Sequence, residues 1–312
     1  MTAPASAIAG RRELLAWAFY DFANSGYTTV VLTTIYGAYF VAVVAGAVDV
    51  RSPGTATLLW TCAVAVANFC VLLSGPVVGS IADHLARKKR FLLFSSVACV
   101  VATALLGFAG PGDVALAMTL LIVSGIAFAS GENLIAAFLP EITSSERMGR
   151  VSGYGWSLGY LGGLLTLGCC LAYINWAAGH DQQAVDYVPV ILLITAGIFA
   201  LTAAPTFLWL RERATPQPLP HGFSYLRLGL KQVRQTLVHS AHYRDLFRFL
   251  CCLVAFQSGV ATVVVIAAIY AQEVMGFDSE QLILLIMVVN LTAAAGAFLF
   301  GFAQDRYGSV LT

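Results

Sequence analysis

Two acids stand where apolar residues are expected. Asp21 lies inside "ELLAWAFYDFANSGYTT" (13–29), and Glu132 lies inside "DVALAMTLLIVSGIAFASGENL" (113–134). A charge held in such a run is costly, so an acid there is by default a functional-site hypothesis. Asn24, Ser25 and Thr28 follow Asp21 at i+3, i+4 and i+7, which makes one polar stripe on a helix, and Tyr39 at i+18 returns to it. Asn133 adjoins Glu132. The chemistry such groups offer is binding of an amino group, a cation or a proton. The structural alternative is that Asp21 caps a neighbouring helix. Gln257 and Asn290 are further candidates for polar contact with a solute, and interhelical hydrogen bonding is the plainer role for both.

No catalytic arrangement accompanies these residues. The five His lie outside the apolar runs, no nucleophile sits in a recognisable turn, and no phosphate-binding Gly-Lys-Ser loop exists. All seven Cys fall inside apolar runs without metal-ligand spacing and read as packing residues. An enzyme, a cofactor, a metal site and a nucleic-acid partner are therefore not expected.

The chain that must position the acids is 59% hydrophobic and 11% charged, with mean hydropathy +0.82. Soluble domains carry roughly 25% charge. Eight runs are long enough to cross a bilayer as helices: about 14–45, 57–81, 91–110, 114–138, 151–174, 187–209, 247–271 and 281–303. Asp21 lies seven residues beyond Leu14, ~10 Å into its span. Glu132 precedes Pro140 by eight residues, ~12 Å into a span that runs the other way. The two acids thus share a depth, and neither span contains Lys or Arg.

Lys and Arg favour cytoplasmic loops. With the N-terminus inside, sixteen of the seventeen fall inside and Arg51 alone falls outside. Both termini are then cytoplasmic, in a multi-pass protein of the cell inner membrane. Three regions follow: a six-helix bundle over 1–210, a cytoplasmic linker over 211–246, and the start of a second bundle over 247–312. Within the linker, Phe223, Leu226, Leu230, Val233 and Leu237 recur at helical spacing, as in an amphipathic helix at the membrane surface.

One motif repeats. Gly79-x-x-x-Asp83 ends the second span and Gly301-x-x-x-Asp305 ends the eighth, 222 residues apart. Arg87 and Lys88 follow the first copy, Arg306 and Gly308 the second. This pattern resembles the loop motif of the major facilitator superfamily, with His84 and Ala86 standing where Arg and Gly are usual. The stretches 17–27, 136–142 and 146–163 further resemble the branch of autophagy-linked vacuolar amino-acid effluxers and their bacterial relatives. The resemblance implies an all-α fold of twelve spans in two six-helix bundles, with spans 1, 4, 7 and 10 lining a central cavity. Eight spans are present, so the sequence reads as a truncated twelve-span chain. Gly155, Gly159, Gly162 and Gly163 form overlapping small-x-x-x-small pairs for close helix packing, with a hinge as the alternative. The Pro of the antiporter motif is absent from this stretch, so antiport is not inferred.

The expectation is a monomeric secondary transporter that moves a small polar solute, an amino acid or similar metabolite, by alternating access, with a cavity carboxylate as a candidate proton carrier. The rivals are a facilitator-derived sensor or assembly factor that transports nothing, and an inactive fragment.

Overall fold

In lipid every backbone polar group must be satisfied within its own segment, and long apolar runs therefore become helices. The computed structural model describes residues 9–47, 54–216, 230–231, 234–235, 238, 243–276, 279–308 and 311–312. No strand occurs among them. Seven helical segments among the described residues are long and apolar enough to cross a membrane: Arg11–Val44, Thr55–Leu85, Lys88–Leu106, Val114–Ile142, Ser145–Ala178, Ala184–Trp209 and Leu284–Tyr307. The protein is a multi-pass membrane protein. The remaining expected run, 247–271, also lies on a helix, Arg244–Glu273, of 30 residues. Most of the expected linker helix falls outside the described residues.

The first span is built of four pieces. α1 covers Arg11–Tyr27, a π-helical stretch covers Thr28–Thr34, α2 covers Ile35–Tyr39, and a second π-helical stretch covers Phe40–Val44. The run "TTVVLTT" is rich in β-branched residues, which crowd an α-helical turn. The Thr33 and Thr34 hydroxyls donate to the carbonyls of Thr28 and Thr29, five residues back, at 2.9 and 2.6 Å. A 3.6-residue count does not carry across a π segment, so the expected return of Tyr39 to the Asp21 stripe does not follow. Tyr39 is instead buried at the far end of the span, with its ring centroid 6.0 Å from that of Tyr36.

The other helices are α3 (Thr55–Leu85), α4 (Lys88–Leu105), α5 (Val114–Ala136), the one-turn α6 (Leu139–Ile142), α7 (Met148–Ala178), α8 (Ala184–Trp209), α9 (Arg244–Glu273) and α10 (Ser279–Tyr307). α1 packs against α5, α7 and α8, and α10 packs along α7. Three aromatic side chains pin α1. The Trp17 indole N–H donates to the Ile135 carbonyl at 2.8 Å. The Tyr20 and Tyr27 hydroxyls bond Ser96 and Ser124 at 3.0 and 2.8 Å. All three rings are buried.

Candidate functional site

Asp21 is half-buried on the face of α1 that meets α7. Glycine makes this contact possible. A Cβ on Gly155 would overlap Asp21 Oδ2 and the Trp17 ring, and a Cβ on Gly159 would stand 2.9 Å from Ser25 Oγ. Gly162 seats the Phe22 backbone, and Gly163 would meet Thr29 Oγ1 at 2.7 Å. The four glycines thus let α7 lie directly against α1.

Asp21 has no hydrogen bond and no ion pair among the described residues. Among the described residues its electrostatic neighbours include Glu132 on α5 and Tyr20, and each carboxylate lies in the other's field. Glu132 is exposed, and likewise has no hydrogen bond among the described residues. Asn24 is only 3% exposed, and its Oδ1 has no hydrogen-bond partner among the described residues. Ser25 and Thr28 are half-buried on the same helix. Asn133 points elsewhere, toward α3. It would stand 3.6 Å from a Cβ on Gly75, and it lines a small pocket of about 50 Å³ with Gly79, Asp83, Lys88 and Ser130. Asn290 bonds back to the Ile286 carbonyl of its own helix at 2.8 Å, and Gln257 is exposed. The structure thus puts Asp21 and Ser25 on the α7-facing side of α1, sets Glu132 in the field of Asp21, buries Asn24 on the same helix, and leaves Asn133, Gln257 and Asn290 apart.

The two copies of the repeated motif sit differently. In the second copy Gly301 lies against the α7 backbone at Gly149 and Gly153. Asp305 accepts the Arg150 N–H at 3.1 Å and pairs with Arg150 Nε at 3.4 Å, with its side chain 6% exposed. That amide belongs to the first turn of α7, whose unsatisfied N–H groups and dipole favour an anion. The Arg150 guanidinium also lies 4.5 Å from the Phe302 ring centroid. In the first copy Asp83 is more than half exposed and pairs with Lys88 at 2.6 Å. Lys88 Nζ also reaches Glu141 at 2.7 Å. Gly79 has open space around it, Arg87 and Arg306 are exposed, and Gly308 takes the left-handed φ of +83° that ends α10.

A further ionic cluster was not legible in the sequence. Glu13, almost fully buried, binds Arg213 through two hydrogen bonds of 2.7 Å and accepts the Arg211 N–H at 3.0 Å. This hydrogen bonding raises the Arg213 pKa further above its ordinary value. The Glu212 carboxylate accepts the Lys88 N–H at the start of α4, and Lys89 Nζ donates to the Leu210 carbonyl at 2.6 Å. Four consecutive residues after α8 thus hold the N-terminal ends of α1 and α4. A buried acid 200 residues from its partner carries no local signal.

A helical multi-pass fold, a facilitator loop motif at two span ends and acids on the first and fourth spans define the class: a membrane protein of the major facilitator type. A sequence profile of the vacuole effluxer Atg22-like family matches residues 42–311, and the chain belongs to that family. It is 29% identical over 296 residues to an uncharacterised transporter of the major facilitator type, YxiO of Bacillus subtilis, covering 94% of this chain and 67% of that protein. It is 28% identical over 164 residues to autophagy-related protein 22-1 of Aspergillus niger, and 25% identical over 198 residues to autophagy-related protein 22 of Yarrowia lipolytica. Those matches cover 51% and 57% of this chain, and 26% and 33% of the fungal proteins.

Proposed function

We propose that the chain is a secondary active transporter, or the greater part of one, that moves a small polar solute across the cytoplasmic membrane by alternating access. All eight helical runs cross the bilayer in this reading, and both termini lie in the cytoplasm. The observation that carries it is the unpaired, half-buried Asp21 carboxylate at the α1–α7 seam, in the field of Glu132. Two negative charges with no Lys or Arg in the apolar runs 14–45 and 114–138 can neutralise an amino group or a coupling proton or cation. An amino acid or similar metabolite meets that requirement. The name of the matching family, and those of the transporter and autophagy relatives, agree with an effluxer or permease.

The Asp305–Arg150 contact gives the second bundle a ionic hold on the first at the inner ends of α7 and α10. Closing and opening this hold is one step of the rocking that exposes the cavity to either side.

The test is neutralisation. In the longest natural form of the protein, Asp21→Asn should insert and melt like the parent, yet lose solute transport tenfold or more in proteoliposomes. Glu132→Gln should do likewise, and the double substitution should cost much less than the two losses combined, because the pair acts as one site. Normal transport by Asp21→Asn with poor survival in detergent would make the acid a packing group.

A further inference from the structure

The two acids sit on different helices, and a pair of aromatic contacts joins those helices beside them. Trp17 and Tyr20 precede Asp21 on α1 by four residues and by one. Gly131 and Ile135 flank Glu132 on α5, one residue before it and three after. The Trp17 indole N–H donates to the Ile135 carbonyl at 2.8 Å. The Tyr20 hydroxyl lies directly against Gly131, where an added Cβ would overlap it, and it bonds Ser96 of α4 at 3.0 Å. Both aromatic side chains are buried. Asp21 and Glu132 are both electrostatic neighbours of Tyr20.

The spacing of these contacts fixes geometry. Gly131 and Ile135 are four residues apart, about one helical turn. A single contact leaves a helix free to turn about it, whereas two contacts a turn apart fix both its depth and its rotation. Ile135 lies in the last turn of α5, where carbonyls lose their helical partners. Pro140 has no N–H to continue the ladder. The Ile135 carbonyl accepts the Phe138 N–H at 3.1 Å, and the indole of α1 is its second donor. The Trp17 ring also reaches Gly155 of α7, the position that meets Asp21. A Cβ there would stand 2.7 Å from Trp17 Cζ3. One side chain thus touches the helix that carries Glu132 and the α7 position beside Asp21.

We propose that Trp17 and Tyr20 are positioning residues, which lock the depth and rotation of α5 against α1 so that Asp21 and Glu132 act as one acidic site. This role rests on the transporter reading above. Neither residue needs to touch the solute, because each acts through the placement of Glu132.

The experiment reads that placement twice, the first time without any solute. In the longest natural form of the protein, purified in detergent, Glu132→Cys is alkylated with N-ethylmaleimide, and the rate is followed on its own peptide by mass spectrometry. Trp17→Phe and Tyr20→Phe each keep an aromatic ring and lose the N–H or the hydroxyl. Each should change the rate at position 132 by about threefold or more, while Cys170, buried on α7, stays unreacted. An unchanged rate at 132 in either variant, or a Cys170 that opens as well, would overturn the proposal. The second reading is uptake of the twenty common L-amino acids, radiolabelled, into proteoliposomes. Trp17→Phe should raise the KM of the best-transported one by about threefold or more. In a chain that already carries Glu132→Gln it should cost nothing further, because it acts through Glu132. Losses that multiply would make Trp17 a packing residue. If the parent moves none of the twenty, the amino-acid reading fails, and the alkylation rates decide the positioning role by themselves.

Discussion

At the scale of single residues, the sharpest departure from the family loop motif is also the clearest energetic statement. α3 ends in a Schellman arrangement: the Arg87 N–H donates to the Ala82 carbonyl, and the Ala86 N–H to the Asp83 carbonyl, both at 3.1 Å. The residue at the turn must take a left-handed conformation, and Ala86 does so at φ +50°. An L-residue pays roughly 1–2 kcal/mol there, and glycine escapes it at some cost in chain entropy. Ala86→Gly should therefore stabilise the protein by about 0.5–1 kcal/mol, seen as a higher melting temperature in detergent. An unchanged or lower value would mean that the Ala86 methyl group makes contacts worth as much as the strain. In the second copy of the motif Asp305 sits on the Arg150 amide, in the first turn of α7.

At the scale of elements, ionic contacts decide which helix ends move together. Glu13 and Arg213 form a bidentate pair whose carboxylate side chain is 10% exposed. Breaking a buried pair leaves a charge without a partner, and at this partly open site the loss should be about 3 kcal/mol. Glu13→Gln and Arg213→Ala should each lower the melting temperature, and the double substitution should cost less than the two together. Strict additivity would show that the pair contributes nothing as a pair. The eight apolar runs were legible because lipid forces each to be a helix, and the shared depth of Asp21 and Glu132 followed from counting residues. What could not be read was rotation about the helix axes. Which residues of α1 meet α7 depends on the α7 glycines, and the π-helical stretch after Tyr27 breaks the count that linked Tyr39 to Asp21. The β-branched run Thr28–Thr34 was the available hint. Glu13 opens the stretch 13–29, but nothing local in the sequence announces Arg213 as its partner.

At the scale of the whole molecule, the charge distribution makes a prediction about orientation. Ends of α1, α3, α4, α6 and α8 that lie on one side are tied together by Glu13, Asp83, Lys88, Glu141, Glu212 and Arg213, with Arg150 and Asp305 joining α7 to α10. The opposite ends carry acids instead, among them Asp181 and Asp186 at the α7–α8 turn. If the Lys/Arg-rich side faces the cytoplasm, as the sixteen-to-one division of these residues requires, both motif copies and the mouth nearest Asp21 open inward. A reporter that is active only in the cytoplasm should therefore work when fused after Ala214 and fail after Asp181. An export-dependent reporter should give the reverse. Reporters on the same side at these two positions would mean that α8, the one span between them, does not cross, and would unseat the bundle over 1–210. Reversal at both positions would keep the bundle and turn it over, placing Asp21 and Glu132 near the outer face and making the Asp305–Arg150 contact an outer latch.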